Sequence, residues 1–509
     1  MQDRSRRVAC HGQRWPALPA AAGLTIVVSS VAIALGRWET WAAPLLVGLC
    51  LAGLAVLAIA AIEPASSRAH GLLLFAASWA MRLTASGLYA AWLGPRGWLD
   101  DAIAYDRVGW ALAEAWRTGA AVQNLGGLEW VAAEPFARVV AAVYWVVGHS
   151  PISIIVLNAF LGSASVYFAY RLGCELLGED VGRLAGWMCA IYTGFWVYSL
   201  MPLKDGLIMA SVLLFFYSLL RLMDGKPAAS RIIPWAAAAL TSGSVVLLMR
   251  DYVFIAASLG GLAFILVRAA HARGSRWLVA VGLVALGVAV FPVARRLAGY
   301  SIPLGNFGAG SFLSGVFDAI PPSETLAGLL RWTLGHPLLS TAYISVSVIA
   351  TLLAPYAWII PGSIPSTASF DAYTVAFPGM WLWYLVLPFA VLGLWSSLRR
   401  SRGNVVGLLV FAAVLLMLFS LTIPRESRHR DLVMPVLLLL ASAGIVFNWR
   451  LKRLAWFAWV PLLLAAVVKL DAWVPLIASA ASAAVLAALI RVSEWRRHRN
   501  VGAPVHTDP

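Results

Sequence analysis

Charge is scarce in this sequence, and negative charge is scarcer still. The 509 residues include 23 Asp and Glu against 38 Lys and Arg, and charged residues make up 12 % of the chain where hydrophobic ones make up 61 %. A soluble domain is about half apolar and about a quarter charged, so that class is excluded. Strict alternation of apolar and polar residues is also missing, which rules out a spanning β-barrel. Cys10, Cys50, Cys174 and Cys189 are the only cysteines. They fall in an N-terminal tail, two apolar runs and a short basic loop, so neither a disulfide nor a zinc site is expected. His11, His70, His149, His271, His336 and His506 lack metal-ligand spacing, and a lone loop histidine is usually only a loop residue. The Gly-rich stretch from Gly299 to Gly315 lacks the Lys-Ser/Thr ending of a phosphate-binding loop. No catalytic Ser or Cys arrangement stands out. No cofactor is expected, and a metal requirement is left open.

What the chain has instead is long apolar runs. At about 1.5 Å per residue, runs of roughly 16–22 residues cross a hydrocarbon core about 30 Å thick. Pro and Gly inside them are tolerated by packed membrane helices. The expected fold is an all-α polytopic membrane protein with about fourteen transmembrane helices. They are placed near 18–36, 43–62, 71–93, 151–172, 184–200, 206–222, 232–249, 252–268, 277–294, 380–398, 404–423, 431–447, 454–470 and 473–490. The first run is followed by Arg37-Trp38-Glu39 rather than by a small-residue cleavage site, so a cleavable signal is not expected.

Placing the N-terminus in the cytoplasm puts about 23 of the 38 cations in cytoplasmic loops and tails, as the positive-inside rule requires. Both termini are then cytoplasmic, in a bacterial inner or plasma membrane. The net charge of +15 is thereby explained by orientation, and a nucleic-acid partner is not expected. A crossing at 338–360 would push Arg399, Arg400 and Arg402 outside, so that run is expected to be interfacial or re-entrant, broken by Pro355 and Pro361.

Two long extracytoplasmic loops follow from this topology, 94–150 and 295–379, both expected to fold on the membrane surface. In the first, Val108, Leu112 and Trp116 share one helical face while Asp106, Glu114 and Arg117 share the opposite one. A second helix is expected from Pro135 to Val147.

Acids are few, so their placement is informative. Asp100, Asp101, Asp106, Glu114, Glu129 and Glu134 crowd the first external loop, and Asp205 and Asp251 sit at outer ends of spans. Asp100-Asp101 suits an N-cap for a helix beginning at Ala102, or a general base held at the membrane surface. Lys204-Asp205 is either a local ion pair that lets the chain reverse, a helix cap, or a carboxylate facing a cavity. Arg250-Asp251 is read equally as an ion pair or as part of a site. Arg82, mid-span, must snorkel, pair or line a polar cavity. The run from Arg425 through Arg428 and His429 to Asp431 lies where the positive-inside rule disfavours cations; it suits a phosphate clamp or anionic lipid headgroups.

The order of these elements resembles the GT-C superfamily of polyprenyl-phosphate-sugar glycosyltransferases. Within it, the sequence is most similar to the bacterial branch of protein mannosyltransferases, lipid A aminoarabinose transferases and rhizobial lipopolysaccharide core transferases. The resemblance rests on Asp101 and Tyr105 in Asp-Ala-Ile-Ala-Tyr with Asp100 beside them, and on Asp205 in Met-Pro-Leu-Lys-Asp-Gly. It also rests on Arg428-His429-Arg430 before Met434-Pro435, and on Phe291-Pro292 with Arg295-Arg296. It covers roughly residues 71–450, each motif being weak alone. Two departures stand out. Glu134-Pro135-Phe136 occupies the place of the family's Lys-Pro-Pro, whose Lys touches the donor phosphate, and two spans precede the usual first one.

The resemblance implies a cytoplasmic tail over 1–17, two extra helices within 18–70 and a catalytic module over 71–450. C-terminal helices over 451–490 and a second cytoplasmic tail over 491–509 complete it. It implies transfer of a sugar from a polyprenyl-phosphate donor to a hydroxyl of a lipid, glycan or protein acceptor at the outer face, with inversion. Asp101 is then the base, and Asp100 or Asp205 orients it or the acceptor. Lys204, Arg250 and Arg428 are candidates for the phosphate, with Tyr105, Glu134, Arg82, Arg425 and His429 as further substrate contacts. A lipid-linked oligosaccharide flippase, or an oligosaccharide polymerase or ligase, is the alternative; no internal repeat favours the flippase.

Overall fold

Apolar segments in a bilayer must satisfy their backbone internally, and the computed structural model is helical accordingly. It describes residues 38–92, 98–119, 128–223, 229–271, 367–400, 402–422 and 431–447, with single positions at 335, 337, 348 and 352. Among the described residues there is no strand, and seven helices are long and apolar enough to cross a membrane. The protein is thus an all-α multi-pass membrane protein. The expected spans at 18–36, 277–294, 454–470 and 473–490, and most of the run 338–360 and of the loop 295–379, lie outside the described residues.

The chain divides into two compact units, Met1–Tyr167 with Trp196–Leu207, and Phe168–Phe195 with Ile208–Pro509. In the first, α1 (Trp38–Ile62) and α2 (Ala65–Trp92) are long apolar helices joined at Glu63-Pro64. Pro64 has no amide hydrogen to continue the helix. The buried Glu63 carboxylate accepts hydrogen bonds from Ser67 and from Tyr167, the latter at 3.2 Å. The segment after α2 folds as α3 (Asp100–Thr118), the short α4 (Glu129–Ala133) and α5 (Pro135–Val147). Pro135 is favourable at a first helical position, and α5 has the bounds its sequence implied.

Helices α3 and α5 pack closely, because a Cβ on Gly109 would lie 2.4 Å from Val140 Cγ1. The buried stripe of α3 is Ala102, Tyr105, Val108, Gly109 and Ala113. Val108 lies in this stripe, while Leu112 is half-buried and Trp116 exposed. Gly119, at φ 68°, ends α3 in the left-handed conformation that glycine adopts without steric cost. Arg117 donates to the carbonyls of Tyr144 and Trp145, satisfying the C-terminal end of α5.

The spans α6 (Pro151–Leu177) and α9 (Asp205–Met223) follow the expected runs. The run 184–200 is not one continuous helix. Helix α7 (Glu179–Ile191) ends before an extended Tyr192, a 3-10 turn covers Thr193–Phe195, and α8 (Val197–Leu200) resumes for one turn. The Tyr192 side chain bonds outward to Asp431, and Gly194 sits against the Tyr192 ring, where a Cβ would clash.

The second unit holds α10 (Ala229–Met249), α11 (Asp251–His271), α12 (Thr367–Arg400), α13 (Arg402–Thr422) and α14 (Met434–Phe447). Its helices cross at small residues. A Cβ on Gly393 would lie 1.7 Å from the Leu440 carbonyl oxygen, and one on Gly260 would lie 2.5 Å from that of Gly407. Such close crossings substitute for the hydrophobic drive that lipid does not supply between membrane helices.

Candidate functional site

Three chemically active side chains meet in the first unit, and the charges of two more act on them. The base of α3 supplies Asp101 and Tyr105, the α4–α5 junction Glu134, and the turn before α9 Lys204 and Asp205. Glu134 holds the N-cap position of α5, yet its side chain makes no capping bond. Instead Oε2 accepts from the Tyr105 hydroxyl at 2.5 Å and from Lys204 Nζ at 2.5 Å. Lys204 Nζ also lies 5.8 Å from the centre of the Tyr105 ring, within cation–π range. Tyr105 stacks edge-on to Phe136, 5.0 Å between centroids, which fixes the ring. Burial pushes its phenol far above the ordinary tyrosine value. The hydrogen bond to Glu134 and the charges of Glu134, Asp101 and Asp205 add to the rise.

The two acids opening α3 do not cap it. The helix begins at Asp100, Leu99 holds the cap position, and both carboxylates lie in the first turn, where the helix dipole favours negative charge. Asp101 is half-buried, while Asp100 points to solvent. Asp205 is only 2 % exposed, at the first residue of α9. Lys204 finds its partner seventy positions away, at Glu134, rather than in a local ion pair.

The turn carrying Lys204 and Asp205 is fixed from below by a residue the sequence reading passed over. Asn158, fully buried on α6, donates through Nδ2 to the carbonyls of Met201 at 3.0 Å and Leu203 at 3.1 Å. Ser86 on α2 donates to the Ser199 carbonyl at 2.8 Å. An asparagine inside an apolar run is costly unless it is bonded, and that cost was the available signal.

The remaining candidates with described side chains have other partners. Arg82 is in the same unit but fully buried between α2 and α6, bonded to the carbonyl and hydroxyl of Ser78. Arg250 belongs to the second unit, donating to the Tyr252 hydroxyl at 3.1 Å, while Asp251 accepts the Tyr252 backbone N–H. Arg425, Arg428 and His429 lie outside the described residues; Asp431, which ends that run, is buried and accepts from Tyr192 at 2.8 Å. His149 is more than a lone loop residue. It pairs with Asp106 at 3.2 Å, packs on Trp110, and shares Asp106 with the Tyr144 hydroxyl. Among the described residues no cluster of three or more metal-ligating side chains occurs.

What the arrangement offers is a carboxylate open to solvent, a buried carboxylate close by, and a lysine held on a third. That set suits proton removal from a hydroxyl beside an anionic group. No family model and no curated protein matches the chain. Its structure is similar to that of ArnT from Cupriavidus metallidurans bound to undecaprenyl phosphate, with a TM-score of 0.44 and 16 % identity, covering 85 % of this chain and 72 % of that one. It is also similar to the archaeal oligosaccharyltransferase AglB from Archaeoglobus fulgidus in complex with an inhibitory peptide and a dolichol-phosphate. There the TM-score is 0.41 and the identity 12 %, covering 79 % of this chain and 56 % of that one.

Proposed function

We propose that this protein is a membrane glycosyltransferase moving a sugar from a polyprenyl-phosphate donor to an acceptor hydroxyl at the extracytoplasmic face. The observation that carries the reading is the Tyr105–Glu134–Lys204 group, which joins residues distant in sequence and lies within the field of Asp101 and Asp205. The ordered resemblance of residues 71–450 to the GT-C superfamily supplies the reaction class, and the distribution of cations supplies the side of the membrane.

A lipid-linked donor keeps its tail in the bilayer and its reacting carbon at the surface, where α3 and the turn before α9 would meet it. The Asp101 carboxylate takes the acceptor hydroxyl proton as the oxygen attacks the anomeric carbon. The bond from that carbon to the phosphate oxygen breaks, the lipid phosphate leaves with the electron pair, and the configuration inverts. Asp205, buried, orients the acceptor, with Asp100 as an outer acid. Lys204 is the candidate cation for the departing phosphate.

Membranes with and without the protein, fed radiolabelled polyprenyl-phosphate sugars, test this directly. Asp101→Asn should cut transfer by roughly 100-fold or more at equal protein level. Wild-type turnover in Asp101→Asn membranes would refute the assignment.

A further inference from the structure

Lys204 already has an anion. Its ammonium is committed to Glu134, so a phosphate ligand of this site meets an occupied cation. The pair is within reach of a ligand, with side-chain exposures of 14 % for Lys204 and 26 % for Glu134. Resting on the transferase reading above, we propose that Glu134 is a built-in competitor for the phosphate group: it holds Lys204 in the resting state and releases it to a lipid phosphate.

Three features favour exchange over a fixed structural pair. Asn158 pins the carbonyls of Met201 and Leu203, in the turn that leads into Lys204, so the backbone of the turn stays in place and the change is a swing of the lysine stem. Lysine suits this, being a compact charge on a flexible chain with rotatable donors. Glu134 is not stripped when Lys204 departs, because the Tyr105 hydroxyl still donates to the same oxygen. Burial and the surrounding acids keep that hydroxyl protonated.

The competition also discriminates between the two lipid species of the reaction. A donor phosphodiester carries one negative charge, whereas the product monoester carries about two near neutral pH and is drawn to Lys204 more strongly. A resident carboxylate opposes both and so limits the hold on the product. Glu134 therefore promotes release of the leaving lipid phosphate.

The test uses the full chain in nanodiscs, with undecaprenyl phosphate and inorganic phosphate as separate probes. Glu134→Gln should tighten undecaprenyl phosphate binding by roughly threefold to tenfold. Lys204→Met should weaken it, and in the Lys204→Met background Glu134→Gln should give no tightening. Glu134→Asp, which keeps the charge but shortens the reach, should fall between wild type and Glu134→Gln and serves if the glutamine variant fails to fold. Tightening for the lipid alone assigns the site to a lipid headgroup, and tightening for both probes assigns it to phosphate from either source; both support the exchange. Unchanged or weaker binding in Glu134→Gln, or tightening that persists without Lys204, overturns it. Sugar transfer is scored separately. Transfer without the Glu134 effect removes only the competitor, whereas the Glu134 effect without transfer from any donor removes only the transferase reading.

Discussion

Arg82 crosses α6 at Gly162, so near that a Cβ on the glycine would lie 2.7 Å from Arg82 Nε and 3.1 Å from its Cδ. The side chain is fully buried, and Ser199 Oγ borders the same spot. A cation at membrane depth is tolerated only where the surrounding structure provides for it. Here that provision includes Ser78 and the space left by a missing side chain.

Gly162→Ala should therefore displace a guanidinium that has little room to move. Overpacking of this kind costs about 1–3 kcal/mol. The expected result is a lower midpoint in a thermal aggregation assay followed by size-exclusion chromatography. Gly87→Ala is the control, because a Cβ there meets nothing within 4 Å. Equal midpoints for the two variants would mean that Arg82 does not depend on the gap.

Asn158→Leu keeps approximate size but removes both donors, leaving the Met201 and Leu203 carbonyls without that partner. Each buried acceptor so exposed costs about 1–3 kcal/mol. Since those carbonyls lie in the turn that leads into Lys204, turnover should fall more than stability predicts. Asn158→Leu should raise the KM for donor and lower kcat, whereas a purely structural role would reduce the folded amount and leave both constants of the folded fraction unchanged.

The site and the fold were legible to different degrees. Spans at 43–62, 151–172 and 206–222 were evident because twenty apolar residues in sequence leave a membrane helix as the economical solution. The break inside 184–200 was not, because it is made by tertiary contacts of Tyr192 and Gly194 that hydropathy does not register. In the site, Asp101, Tyr105, Glu134, Lys204 and Asp205 were each singled out in advance. Their pairing was not, since Lys204 looked local to Asp205 and chose Glu134 instead. Asn158 was hidden among apolar neighbours, and His149 was set aside for want of a visible partner.

The Tyr105 phenol has its own pH signature. Its value is raised above the ordinary 10.0, first by burial and then by Glu134 and the nearby acids. The folded state thus holds the proton more tightly than the unfolded chain. The associated stability is fully present below pH 10 and is lost as pH climbs above it towards the folded value. Between about pH 7 and pH 10, Tyr105 should therefore contribute no change in activity or stability. Ultraviolet difference titration of wild type against Tyr105→Phe should show no tyrosinate from this residue up to pH 10. An ionisation there below pH 10 would contradict the buried, acid-flanked environment.

Asp101 and Asp205 are assigned unlike tasks, and steady-state constants separate them. A base acts only as the proton moves, so Asp101→Asn should lower kcat by roughly 100-fold or more with the KM for acceptor nearly unchanged. Asp205→Asn keeps the Asp101 carboxylate, so the KM for acceptor should rise more than kcat falls. The split between the two constants separates the roles where rate alone does not, because either variant is slow. A raised acceptor KM in Asp101→Asn together with the larger loss of kcat in Asp205→Asn would exchange the two assignments. It would make the buried carboxylate of α9, and not the half-exposed one of α3, the group that receives the proton.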